Sequence, residues 1–413
     1  MTDAYRQRHV DPVLADFLSE LPAIMIVGPR AVGKTTTAAR HAETVVRLDD
    51  DNEAAAYRAD PDAMLAGLKE PILIDEWQAV PGVLGAVKRA VDNDSRPGRF
   101  LITGSVRADL DSQMWPGTGR AVRLNMSGLS VAEINREVPG IPVLDRLPAD
   151  GVEALKAPAH PPDLREYVDL ALRGGFPEPG LRFSGRARTA WFDSYLEQLV
   201  TRDVERLDGG RDPDRLRRYL QLLAMNTAGV TQASTLYTAA GVNQRTAGAY
   251  EQLLRNLLIL NAIPAWTTNR IKRLVRQPKR YLCDTALAVA ALRLDAAGVL
   301  ADGDMLGRII DTFVASQLHA ELPACASRPR LYHLRQEQGR HEVDLIAEYG
   351  GGRVVGIEIK ASGGPTASDA RHLTWLRAEY GDRFICGLVL HTGPRRYLLG
   401  ERIVAAPIAS LWT

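Results

Sequence analysis

Short apolar runs separated by helical periodicity organise the first third of the chain. Ala23-Ile24-Met25-Ile26-Val27 leads without a polar residue into a glycine-bearing turn. Thr44 to Leu48, Ile72 to Ile74 and Phe100 to Ile102 repeat the pattern, and Ala121 to Met126 supplies a fifth run. Such runs, each followed by a helical stretch, predict a parallel sheet covered on both faces. From residue 127 to 165 the chain is richer in Pro and Gly, with Pro158, Pro161 and Pro162 close together, and reads as a lid or linker. Helical patterns resume from Leu164 to about Leu260. A basic, irregular stretch follows, and from Met305 the order reads helix, strand, hairpin, helix, strand.

Composition narrows the field without choosing within it. Hydrophobic residues make up 46% and charged residues 24%, which is ordinary globular usage. A formal net charge of +1 excludes a protein that coats polyanions along its whole surface, so any nucleic-acid contact must be a local patch. Cys283, Cys325 and Cys386 lie far apart and have no metal-ligand spacing, which fits a reducing compartment. Met1 to Pro12 does not read as a secretory signal. The longest uncharged stretch, Tyr219 to Gln244, is too rich in Thr, Gln, Asn and Gly for a membrane helix. The expectation is a cytoplasmic protein with no membrane partner.

The turn after the first run carries specific chemistry. Gly28-Pro29-Arg30-Ala31-Val32-Gly33-Lys34-Thr35 fits G-x-x-x-x-G-K-[ST], placed after a strand and before a helical run that begins at Thr36. Glycines let the backbone curl so that several N–H groups face one phosphate. In this arrangement Lys34 reaches the β and γ phosphates of ATP, and the Thr35 hydroxyl ligates Mg²⁺. With seven lysines in the chain, the full match is a strong signal.

Pro71 to Glu76 is an apolar strand ending in two acids. Asp75 would face the phosphate crevice and hold Mg²⁺, and Glu76 is the candidate base that orients the attacking water. Thr103 and Ser105, at the end of the next strand, are candidates to touch the γ phosphate or that water, with a plain turn as the alternative. Arg107 and Arg120 are candidates for transition-state charge stabilisation, including across a subunit boundary.

In the middle of the chain, Ala233 to Ala240, Gly241-Val242 and Gln244 to Leu258 read as helix, turn, helix. The stretch Arg270 to Arg280 has six cations (Arg270, Lys272, Arg273, Arg276, Lys279 and Arg280) and no acid. It resembles a winged helix with a basic wing that contacts the DNA backbone; solvated surface or a protein-packing face is the alternative.

Near the C-terminus, residues 342–349 and 353–360 flank Gly350-Gly351-Gly352 and predict a hairpin centred on Gly351. That register puts Tyr349 opposite Arg353 and Asp344 opposite Glu358, with Lys360 on the same face as Glu358. Opposed carboxylates invite a divalent cation, a second metal besides Mg²⁺ on the nucleotide, and Lys360 would position a water. An acid followed by acid-x-lysine is the pattern of restriction-type nucleases.

The residues so far resemble the bacterial and archaeal AAA+ type ATPases that carry a C-terminal nuclease-like domain. The resemblance runs through the phosphate loop, Asp75-Glu76-Trp77-Gln78, Thr103-Gly104-Ser105, Gly119-Arg120, Gly174-Gly175-Phe176-Pro177, Arg202-Asp203 and Asp284-Thr285. It continues through Glu342-Val343-Asp344 and Ile357-Glu358-Ile359-Lys360. It implies ATP binding, a helical or winged-helix middle and a restriction-endonuclease-like end. It also adds Asp311 to the nuclease-like residues Asp344, Glu358 and Lys360, at a position where the family more often has Glu. The resulting expectation is an α/β chain with a P-loop parallel sheet in residues 1–130, a helical lid and winged-helix-like region in 131–300, and a small α/β restriction-endonuclease-like domain in 301–413. The function expected is an Mg-dependent ATPase coupled to a nuclease-like domain, associated with DNA, a partner protein or a second copy. The alternative is an ATP-gated interaction protein with a silent nuclease fold.

Overall fold

The central strands are apolar from end to end because both of their faces are covered. In the computed structural model, which describes residues 5–104, 119–138, 140–201, 212–267, 276–336 and 340–413, β1 (Ala23–Val27) and β4 (Phe100–Gly104) are buried at every position. β2 (Thr44–Arg47), β3 (Ile72–Asp75) and β5 (Val122–Asn125) complete a five-stranded sheet in the order β2-β3-β4-β1-β5, in which every pair is parallel.

Alternation divides the side chains between two cores. Met25, Val27, Ile72, Ile74, Phe100 and Ile102 face Trp77 and the helix Val83–Asn93. Ile24, Ile26, Leu73, Leu101 and Leu124 face Val10 and Leu14 of the helix Val10–Glu20. Full burial of each such side chain is worth roughly 1.5–3 kcal/mol. The edge strands β2 and β5 bury only Val46 and Leu124, as strands with one open side can. β1 sits between β4 and β5, so the order reverses beside it, the position at which parallel sheets hold ligands outside the carboxyl ends of their strands.

The chain forms two compact units, one of residues 1–128 and 254–259, the other of 129–253 and 260–413. Apart from residues 254–259, the second unit takes in both regions expected after residue 130. The stretch expected as a lid or linker carries the helices Val131–Asn135 and Val143–Asp150. Ser130 and Glu133 cap the first of these reciprocally. The helices Leu164–Arg173, Gly185–Thr201, Pro213–Met225, Ala233–Ala239 and Gln244–Asn256 follow. Next come β6 (Leu260–Ile263) and β7 (Lys279–Leu282), an antiparallel pair.

The helix Gly303–Glu321 leads into a six-stranded mixed sheet, ordered β12-β13-β11-β10-β9-β8. Its strands are β8 (Arg330–Gln336), β9 (His341–Glu348), β10 (Val354–Lys360), β11 (Phe384–His391), β12 (Tyr397–Gly400) and β13 (Ile403–Pro407). The last two exceed the single final strand read from the sequence. The helix Arg371–Tyr380 covers one face, and Gly356 leaves room for it: a Cβ there would stand 2.6 Å from Leu373 Cδ2. Among the described residues, no helix is long and apolar enough to cross a membrane.

Candidate functional site

The turn between β1 and the helix Lys34–Ala39 has the form its sequence predicts. Ala31 and Gly33 take left-handed backbone, at φ 62° and 93°. Alternating hands turn successive N–H groups to one side, which makes a concave anion cradle. For Ala31 that conformation costs about 1–2 kcal/mol. Gly28 is required for a different reason: a Cβ there would collide with the Met126 carbonyl oxygen. The loop can therefore lie flat against the chain leaving β5.

Lys34 is buried, at 5% exposure. Its ammonium donates to the carbonyls of Gly28 (3.0 Å) and Pro29 (2.8 Å). Burial pulls its pKa down to about 8, against the opposing pull of Glu76 and Asp75. Thr35 Oγ1 donates to Asp75 Oδ1 at 2.8 Å, and Thr103 Oγ1 donates to the same oxygen at 2.5 Å. The expected loop, the acid ending β3 and the Thr103 hydroxyl of β4 thus meet in one place. Thr36 is exposed beside them, and Arg30 is half-buried.

Glu76 follows at φ 52°, a left-handed turn that directs the chain into the 3₁₀ turn Trp77–Ala79. Burial raises its pKa above the usual glutamate value, Asp75 adds to the rise, and Lys34 opposes it. The Gln78 amide donates to Glu76 Oε2. Gly104 gives these residues room, since a Cβ there would collide with the Trp77 indole nitrogen. The hard oxygens of Thr35 and Asp75, beside a buried ammonium and a nest of N–H groups, fit a magnesium–triphosphate pair.

Arg120, an expected member, does not join this group; it pairs through Nε with Asp92 at 2.7 Å. Ser105 and Arg107 lie outside the described residues. One participant went unread: buried Arg8 donates to the carbonyls of Val32 and Ser127. A single arginine before the first helix gives no sequence signal.

The C-terminal acids also come together, but around an unexpected centre. β9 and β10 pair as predicted, with Glu348 opposite Val354 and Leu345 opposite Ile357, and Asp344 and Glu358 are the next positions beyond that ladder. Lys279 Nζ stands 2.6 Å from Asp311 Oδ2 and 3.1 Å from Asp344 Oδ1. Tyr281 OH donates to the other Asp311 oxygen, and the Ile359 N–H to Asp344 Oδ2. Lys360 pairs with Glu358 at 3.1 Å.

Burial lifts Asp311 to about 6 against the pull of Lys279, and burial and Asp344 lift Glu358 to about 8. Burial works against the Asp344 carboxylate too, but Lys279 and the Ile359 N–H outweigh it and hold its pKa below the usual range. The ammonium fills the place between carboxylates that a divalent cation would need, so these residues do not fit a second metal. Among the described residues, no group of three His, Cys, Asp or Glu is arranged to hold one.

This corrects the basic-wing expectation at two of its six cations. Lys279 and Arg280 are buried, and Arg280 pairs with Glu251. Arg276 is exposed, while Arg270, Lys272 and Arg273 lie outside the described residues. The motif residues Gly174-Gly175 and Asp284-Thr285 form a structural latch. Asp284 accepts from the N–H groups of Gly175 (2.6 Å) and Ala286 (2.8 Å), and Thr285 Oγ1 donates to the Ala171 carbonyl. Arg202 and Asp203 lie outside the described residues.

Residues 20–135 match the AAA domain, 164–298 a domain of unknown function (DUF8612) and 306–411 another (DUF4143). A Walker-type ATPase of Pyrococcus abyssi aligns at 13% identity over 71% of this chain and 99% of its own, with a TM-score of 0.42. A single-substitution variant of RuvB from Thermotoga maritima aligns at 18% over 69% and 94%, with a TM-score of 0.31. The uncharacterized proteins Rv2008c of Mycobacterium tuberculosis and Mb2031c of Mycobacterium bovis are each 30% identical over 401 residues, 96% of this chain and 82% of each relative. The chain belongs to the family of these two mycobacterial proteins, and its N-terminal region, built on a P-loop and a parallel sheet, is similar to the AAA domain.

Proposed function

We propose that the protein binds ATP with Mg²⁺ and hydrolyses it. The observation that carries this reading is the convergence of the buried Lys34, the Thr35–Asp75–Thr103 hydroxyl–carboxylate network and Glu76 on one crevice. The backbone from Gly28 to Thr36 would cradle the phosphates, and Lys34 would turn from the loop carbonyls to the β and γ phosphates. Thr35 and Asp75 would hold the magnesium ion, which neutralises phosphate charge when bound. Glu76 would orient a water toward the γ phosphorus and take its proton, a role suited to a carboxylate with a raised pKa. Thr103 holds Asp75 in place. Arg120 is kept as the arginine offered to the phosphates of a neighbouring copy.

The test is a phosphate-release assay on wild type, Lys34→Ala and Glu76→Gln. Lys34→Ala should lose nucleotide binding. Glu76→Gln should bind and fail to turn over. Binding without turnover in wild type would reduce the reading to a nucleotide-gated switch.

For the C-terminal region we favour the silent nuclease-like fold, because Lys279 stands where a metal would be needed. A gel assay with DNA and RNA under Mg²⁺ or Mn²⁺ should show no cutting, and cutting that Asp344→Ala abolishes would reverse this. The helices Pro213–Met225, Ala233–Ala239 and Gln244–Asn256 and the β6–β7 pair support a winged-helix-like middle. Its contact with DNA through Arg270, Lys272, Arg273 and Arg276 is tested by retention on DNA after Arg273→Ala and Arg276→Ala.

A further inference from the structure

A phosphate cradle needs its carbonyls turned away from the anion as much as it needs its N–H groups turned toward it. Val32 lies inside the loop, between the left-handed Ala31 and Gly33. Its carbonyl accepts from Arg8 Nη1 at 3.0 Å, while Arg8 Nη2 donates to the Ser127 carbonyl at 2.7 Å. Arg8 is 4% exposed. A buried guanidinium thus ties the loop to the segment after β5, next to Met126, whose carbonyl closes on Gly28.

A second tie runs parallel to the first. Asp11 accepts from the Arg8 N–H and from the Tyr5 hydroxyl, both at 2.8 Å. The Tyr5 hydroxyl also lies 3.0 Å from Thr37 Oγ1, on the helix that follows the loop. The Arg40 guanidinium stacks 4.4 Å from the Tyr5 ring centroid.

From these contacts we propose that Tyr5 to Asp11 form a strap that fixes the phosphate loop in its anion-binding shape, with Arg8 as the positioning residue. The proposal rests on the nucleotide-site reading above. Arg8 acts through Val32: it holds that carbonyl away from the cradle while Tyr5 steadies the following helix. The fork of the guanidinium is what allows one side chain to hold two carbonyls, so lysine is a partial substitute.

The test is titration of the full chain with Mg-ATP, followed calorimetrically, for wild type, Arg8→Ala, Arg8→Lys and Tyr5→Phe, beside a thermal melt of each without nucleotide. Arg8→Ala should weaken binding roughly tenfold to a hundredfold, the range for losing charge-assisted bonds. Arg8→Lys should recover part of the loss, and Tyr5→Phe should cost a few-fold. If Arg8→Ala does not fold, Arg8→Lys and Tyr5→Phe decide the matter. Folded variants that bind within twofold of wild type overturn the strap. A wild type that takes up no Mg-ATP overturns the nucleotide site itself, and the strap with it.

Discussion

Replacing Lys279 by methionine keeps most of the side-chain length and removes the charge. The ammonium is 2.6 Å from Asp311 and 3.1 Å from Asp344, with side-chain exposures of 5%, 11% and 21%. Removing one partner of such a buried pair leaves charge without compensation and costs about 3–5 kcal/mol. That is a large share of a typical domain stability of about 5–15 kcal/mol. Tyr281 and the Ile359 N–H still serve one oxygen of each acid, so the low end of the range is expected. The vacated position then offers two carboxylates to a cation. Mn²⁺ at a hundred times its dissociation constant would return about 2.7 kcal/mol. The assay is urea unfolding of both proteins, without nucleotide, with and without millimolar Mn²⁺. Lys279→Met should be weaker than wild type and should gain more from Mn²⁺ than wild type does. A variant as stable as wild type, or one that Mn²⁺ stabilises no more than it stabilises wild type, would refute the resident-cation argument.

Further outcomes follow from the same geometry. Glu76→Gln should keep nucleotide affinity and lower turnover about 10²–10⁴-fold, read by phosphate release. With Lys34 near pKa 8 in the free protein, Mg-ATP affinity should be flat below that pH and fall above it; calorimetry near pH 8 in buffers of different ionisation heat should show net proton uptake on binding. Gly28→Ala should abolish binding by forcing the loop off Met126, with melting temperature and nucleotide titration as paired readouts. Burial lifts Glu321 to about 8, so its contribution to stability is fully present below the unfolded glutamate value and is lost as pH rises toward 8. Glu321→Gln should therefore raise the melting temperature at pH 8–9 more than at pH 5.

Local pattern carried the parts of this molecule that neighbours in sequence determine. The all-apolar run before Gly28, the acids ending β3 and the hairpin centred on Gly351 each depend on a few adjacent residues, and their structures follow those residues. What sequence spacing could not reach were partners brought in by topology. Lys279 sits in a cationic stretch that reads as a surface wing, yet β7 delivers it between a helix and β9. Arg8 is one of many arginines until the helix after it sets it against Val32. β12 is short and half-exposed, and the apolar run of β13 merges with the apolar C-terminal tail, so neither stands out in the sequence.

The central claim is that the loop from Gly28 to Thr35 holds a triphosphate through Lys34. Calorimetric titration of wild type and Lys34→Ala with Mg-ATP tests it most directly. Saturable binding by wild type alone is the predicted result. No heat from a folded wild type, or equal binding by both proteins, would contradict it.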